Sequence, residues 1–267
     1  MGEELKGKVA IVTGASRGIG AEIARRFAAE GAAVVVAART AVAEPGRLPG
    51  TLAETVEAIA ASGGTAIAVP TDLSQPAERE RLVVEAQRAL GEIDILVNNA
   101  AVTWFGPLAE FDLRRCRLMF EVQVTAPLHL AQLVLPGMRR RGQGWICNIS
   151  SGAARHPRFP PGTGARSGVG AVYGMCKAAL ERFSTGLAAE LYGTGVAVNA
   201  LSPTRVVPTP GTIFHHLTRG DDPDAEPPAV MAAAALALCS GDPARMTGRI
   251  AYSQDLLGEL GLPIPVR

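Results

Sequence analysis

An apolar run, Val9-Ala10-Ile11-Val12, passes directly into Thr13-Gly14-Ala15-Ser16-Arg17-Gly18-Ile19-Gly20, and apolar residues at helical spacing follow (Ile23, Ala24, Phe27, Ala28). A buried strand, a glycine-rich turn and a helix in that order constrain the fold more than any other stretch. Gly14 permits a tight turn, Gly18 lets the backbone approach a pyrophosphate, and Gly20 lets the helix pack close to the strand. Backbone N–H groups at the helix start then face bound phosphates. The stretch predicts a nucleotide site formed by Gly14, Ser16, Arg17, Gly18, Ile19 and Gly20.

Further strand-like runs at 33–37, 66–69, 93–97, 145–149 and 196–201 alternate with helical stretches at 51–61, 76–90, 113–140 and 171–191. This alternation predicts an α/β fold with a doubly wound parallel sheet of Rossmann type in three layers, α/β/α. No repeat or linker divides the chain, so residues 1–267 read as one domain. Two irregular segments stand out: an insertion at 152–170 and a proline-rich lid at about 204–228. Both follow predicted strands on the carboxyl side of the sheet, where open α/β folds bind ligands.

A net charge of +1 and an aromatic content of 4% give no case for nucleic acid or an anionic membrane. The longest apolar run, Ala229 to Cys239, is too short to span a bilayer. Cys116, Cys147, Cys176 and Cys239 form no C-x-x-C pair and read as free thiols of a reducing compartment. The adjacent His215 and His216 do not share a face, so no metal site is expected. With no apolar signal core at the N-terminus, the expectation is a soluble, cytoplasmic protein.

Tyr173 and Lys177 lie four apart on a predicted helix and share a face. A free tyrosine has a pKa of about 10, and an ammonium nearby favours the phenolate. The pair therefore suits general acid–base work near neutral pH. An acidic residue after the second strand would bind a ribose 2′-hydroxyl; this chain has Ala38-Arg39-Thr40 there, with Arg17 in the glycine turn. Two guanidinium groups suit a 2′-phosphate, so NADP(H) is favoured over NAD(H).

The spacing T-G-x-x-x-G-x-G, Asp72-Leu73, Asn98-Asn99-Ala100, Ser150-Ser151 and Tyr173-x-x-x-Lys177 occur in the order found in short-chain dehydrogenases/reductases, and the chain resembles that family over roughly residues 5 to 210. The resemblance implies an oxidoreductase interconverting an alcohol and a ketone or aldehyde. Ser151 would polarise the substrate oxygen, Tyr173 would transfer the proton, and Lys177 would hold the nicotinamide ribose. Asp72, Leu73, Asn99, Ala100, Arg39, Thr40, Pro203, Val206 and Thr209 would complete the cofactor site, and Asn98 would stabilise the central strand. It also implies a homodimer or homotetramer.

The chain departs from the family pattern in four places. Gln123 stands where an asparagine usually holds a relay water, and Ala101 replaces a glycine after Asn98-Asn99-Ala100. The stretch from Ser151 to Tyr173, 173 − 151 = 22 positions, carries the insertion. Ser253-Gln254-Asp255-Leu256 replaces the usual acidic-diglycine ending. Phe214, His215, His216 and Leu217 are expected in the lid, with Trp104 and Phe105 as the opposite wall of a largely apolar pocket. Arg155, His156, Arg158 and Arg166 read as a solvated loop, or as a contact for an anionic substrate such as a phosphopantetheine thioester, which would fit a 3-oxoacyl-thioester reductase. A nucleotide-binding regulator without turnover is the remaining alternative.

Overall fold

The computed structural model describes residues 2–43, 48–157, 159 and 170–266; Arg158 and Arg166 lie outside them. Seven strands form one parallel sheet in the order β3-β2-β1-β4-β5-β6-β7. They are β1 (Val9–Thr13), β2 (Ala33–Ala38), β3 (Thr65–Pro70), β4 (Ile95–Asn98), β5 (Gly144–Ile149), β6 (Val196–Ser202) and β7 (Ile250–Tyr252). The order reverses between β1 and β4, and a crevice opens beyond the carboxyl ends of such strands.

Both faces of the sheet are covered, which is why β1, β5 and β6 are buried along their whole length rather than alternating. One face packs on α1 (Gly18–Ala29), α2 (Leu52–Ala61) and α8 (Pro228–Ser240), through Phe27, Ile59 and Leu236 among others. The other packs on α3 (Pro76–Leu90), α5 (Ala126–Arg141) and α6 (Ala171–Glu190), through Leu82, Leu130 and Leu187. The fold is thus the Rossmann-like three-layer arrangement expected from the alternation of elements.

The long helix expected at 113–140 is not uniform. It begins as α4 (Leu113–Phe120), widens into a π-helical turn at Glu121–Thr125, and resumes as α5. Pro127 supplies the reason: it has no N–H, and in an α-helix its ring would strike the carbonyl of Gln123. A π turn relieves that clash. Arg79, fully buried on α3, is ion-paired with Glu121 of this turn. Residues Leu113–Arg141 are long and apolar enough by length and composition to cross a membrane. However, Leu130, Ala131, Val134 and Met138 of this helix are buried against the sheet, as in a core helix.

The fourth strand begins at Ile95 rather than 93. The 203–228 segment is not wholly irregular, because it contains α7 (Pro210–Phe214), opened by a reciprocal Thr209–Thr212 capping box. After β7 the chain turns at once into α9 (Ser253–Glu259).

Candidate active site

The glycine turn sits at the reversal of strand order. Thr13 Oγ1 donates to the Val97 carbonyl at 3.2 Å and accepts from the N–H groups of Asn99 (3.0 Å) and Ala100 (3.2 Å), so it splices the ends of β1 and β4. The Asn99 amide donates to the carbonyls of Thr13 (2.9 Å) and Gly14 (3.2 Å). Thr13 opens the motif, yet nothing in the sequence alone marks it for this role.

Gly18 has φ +56°, and a Cβ there would lie 2.9 Å from the Thr209 methyl of the lid. A Cβ on Gly20 would collide with the Asn99 amide and the Gly14 carbonyl. No side chain caps the N-terminus of α1. These residues therefore fit a dinucleotide pyrophosphate: a cradle without side chains, facing uncapped helix N–H groups. Ser16 is buried at the start of the turn, and Ile19 packs on the core below it. Leu73 is buried after β3, where Asp72 Oδ1 accepts from the Ser74 N–H at 3.0 Å.

Thr40 is buried and Arg39 exposed at the end of β2, with no carboxylate among residues 38 to 43. Arg17 is engaged within the protein: its guanidinium donates to the carbonyls of Leu48 (2.6 Å) and Gly50 (2.8 Å). It thus braces the stretch after β2, rather than presenting an unengaged cation as the sequence suggests.

Ser151 and Tyr173 share a hydrogen bond despite the insertion between them, and Ser151 Oγ also accepts from the Ala153 N–H at 3.2 Å. Lys177 is buried one turn beyond Tyr173; its Nζ donates to the Ile149 carbonyl at 2.8 Å and lies 5.8 Å from the Tyr173 ring centroid. Burial holds its ammonium down at about 8, against the neighbouring Cys176 and Glu181. Burial raises the Tyr173 phenol, and the Ser151 hydrogen bond offsets part of that rise. Burial thus leads the shift of this phenol, while the Lys177 ammonium one turn away is turned to the Ile149 carbonyl.

Gln123 is 1% exposed; its Nε2 donates to the Val102 carbonyl at 2.9 Å, and its Oε1 is buried without a partner. The side chain thus offers an acceptor at the π turn, on a longer arm than asparagine would. Asn98 donates to Asn148 Oδ1 (2.8 Å), and Asn148 to Ser184 Oγ (2.9 Å), tying β4, β5 and α6 together. Ser150, the first serine of the pair, faces away and donates to Glu181 Oε1 at 2.7 Å.

The walls are aromatic. Phe105 stands edge-on to Tyr173 at 5.7 Å and to His215 of the lid at 5.6 Å, and His215 stands edge-on to Phe214 at 5.3 Å. The two predicted walls therefore meet above the tyrosine. Trp104, under the Arg115 guanidinium at 5.4 Å, packs with Cys116 on Cys176, whose thiol burial raises to about 11. Ala101 is exposed. Pro203 is partly exposed and Val206 is exposed at the start of the lid. Arg155 lies over the Tyr252 ring at 3.8 Å, which engages it inside the protein.

The family model for short chain dehydrogenase matches residues 8–215. The chain belongs to the short-chain dehydrogenase family. Ketoacyl reductase HetN from Nostoc sp. is 37% identical over 209 residues, covering 78% of this chain and 67% of that protein. The rhamnolipids biosynthesis 3-oxoacyl-(acyl-carrier-protein) reductase of Pseudomonas aeruginosa is 32% identical over 265 residues, 92% of this chain and 94% of that one. L-sorbose reductase from Gluconobacter frateurii, complexed with NADPH and L-sorbose, superposes with a TM-score of 0.78 at 29% identity, covering 94% and 97% of the two chains. As a short-chain dehydrogenase the protein is an NAD(P)-dependent oxidoreductase. Its relatives' substrates differ widely, so the fold alone does not set the substrate.

Proposed function

We propose that the protein is an NADP(H)-dependent oxidoreductase that interconverts an alcohol and a ketone or aldehyde of a largely apolar molecule, with Tyr173 as general acid–base. The observation that carries this reading is the Ser151–Tyr173 hydrogen bond, with buried Lys177 one turn away and Phe105 above. The cofactor supplies the hydride when bound. Ser151 orients and polarises the carbonyl oxygen, and the Tyr173 hydroxyl gives that oxygen its proton in reduction and takes it back in oxidation. Lys177 holds a positive charge beside this exchange. The edges of Phe105, His215 and Phe214 limit water and favour an apolar body. NADP(H) is supported by Arg39, by the lack of a carboxylate after β2, and by the NADPH in the sorbose reductase relative. Free buried thiols fit a reducing compartment such as the cytoplasm, and the family likeness supports a homodimer or homotetramer.

Titration with NADPH and NADH, followed by cofactor oxidation against a panel of ketones and aldehydes, tests this reading. Turnover with NADPH that falls at least about 100-fold in Tyr173→Phe, at unchanged NADPH affinity, supports it. Equal turnover in Tyr173→Phe overturns the assigned chemistry. A second reading, reduction of 3-oxoacyl thioesters, draws on the two acyl-reductase relatives. It requires a thioester to outrun simple ketones in kcat/KM on the same panel.

A further inference from the structure

The lid leaves the sheet after β6 at Thr204 and rejoins the core at Glu226, just before α8. Glu226 is 1% exposed, an unusual place for a carboxylate. Its two oxygens accept from Ser253 Oγ at 2.6 Å and Gln254 Nε2 at 2.9 Å. The same two residues hold the other end of the lid: the Thr204 N–H donates to Ser253 Oγ at 3.0 Å, and Thr204 Oγ1 accepts from the Gln254 N–H at 3.0 Å. The Glu226 N–H then closes the loop by donating to the Val206 carbonyl at 2.9 Å. The first turn of α9 thus grips both feet of the lid. Its preceding residue, Tyr252, also carries Arg155 of the other irregular segment on its ring.

We propose that Glu226, Ser253 and Gln254 are positioning residues that fix the span of the lid and so set how Val206 to Leu217 close over Tyr173. This rests on the reading of residues 204–226 as the substrate lid. A lid needs fixed feet if a short arm, α7 with Phe214 and His215, is to return each time to the same contact with Phe105. A neutral hydroxyl and amide can supply that fixity because a buried carboxylate must keep its donors: losing one leaves a charged acceptor unsatisfied. The residues that replace the acidic-diglycine ending therefore have a task, which is to serve as donors to Glu226.

Amide hydrogen exchange on the full chain with saturating NADPH tests this without needing a substrate. In Ser253→Ala and Gln254→Leu, exchange of residues 205–217 should quicken by about tenfold or more, the equivalent of one hydrogen bond to a charged group. Exchange in β5 and β6 should stay as in the parent. Glu226→Gln, which can keep both contacts if Gln254 turns its amide, should restore most of the protection that Glu226→Leu loses. With any ketone that turns over, KM should rise several-fold while kcat stays within about twofold. Unchanged exchange at 205–217 in both donor variants overturns the proposal. Faster exchange across the whole sheet overturns it too, since that marks general destabilisation. Failure of all carbonyl turnover, with the exchange result intact, counts against the assigned reaction and leaves the clasp standing.

Discussion

The carboxylate of Glu181 accepts a 2.7 Å hydrogen bond from Ser150, the immediate neighbour of the serine that meets Tyr173. Glu181 lies one turn beyond Lys177 on α6, and its charge favours the Lys177 ammonium, which burial holds at about 8. Burial in turn raises the Glu181 carboxyl, against the pull of Ser150, Arg155 and Lys177. Removing this carboxylate lets the ammonium lose its proton at lower pH, so the phenolate of Tyr173 loses support near neutrality. In Glu181→Gln the acidic limb of kcat/KM for alcohol oxidation should therefore move to higher pH, and Glu181→Asp should move it part of the way back. A limb that stays in place in Glu181→Gln would falsify this coupling.

Ser151 acts on the same phenol from the other side. Its hydrogen bond is what offsets the burial that raises Tyr173. Ser151→Ala should lower kcat by about 100- to 1,000-fold, the usual cost of one donor to a reacting oxygen. Ultraviolet difference titration should show Tyr173 ionising at higher pH in this variant than in the parent, the opposite sign from a loosened site.

Lys177 also leaves a mark on stability. Its pKa falls from 10.5 in the unfolded chain to about 8 in the fold. Between those values the unfolded state binds the extra proton, so this group makes stability rise as pH increases from 8 to 10.5. Below about pH 8 the buried charge costs its full amount. Urea unfolding of the parent and Lys177→Met at several pH values isolates this group: the parent's deficit relative to the variant should shrink as pH rises. A constant difference would show that Lys177 is not titrating in that window.

On the proposed function, cofactor choice turns on one exposed side chain. Arg39 stands at the end of β2, and Arg17 is already held by the carbonyls of Leu48 and Gly50. Arg39→Glu should weaken NADPH binding by about 10- to 100-fold and strengthen NADH binding, as expected when a charge-assisted contact becomes a repulsion. Fluorescence titration of both cofactors reads this directly. Equal loss for the two would place Arg39 outside the adenosine end.

What the chain discloses before folding depends on how local its cause is. Gly14, Gly18 and Gly20 are legible because the turn they form needs the absence of side chains within a few residues. Tyr173 and Lys177 are legible because a helix converts a spacing of four into a shared face. Ser151 and Tyr173 are harder, since the loop between them hides that their ends meet. The π turn at 121–125 is half-legible: Pro127 marks a break, but only the clash with the Gln123 carbonyl says what kind. The contacts of Glu226 with Ser253 and Gln254 span 27 and 28 positions, across α8 and β7, and no periodicity encodes them. The same holds for Arg17, whose partners follow from the path of the chain after β2 rather than from its own motif.

The methyl of Thr209 rests where a side chain on Gly18 would have to be. The turn that the proposed function assigns to the pyrophosphate is therefore also the seat of the lid's first helical turn. On that reading a nucleotide arriving after the lid has settled would find its doorway shut, and one bound earlier would sit beneath it. Each turnover should then run in an order in time, nucleotide first to enter and last to leave, and product-inhibition patterns would display that order as a sequence of events rather than a set of contacts.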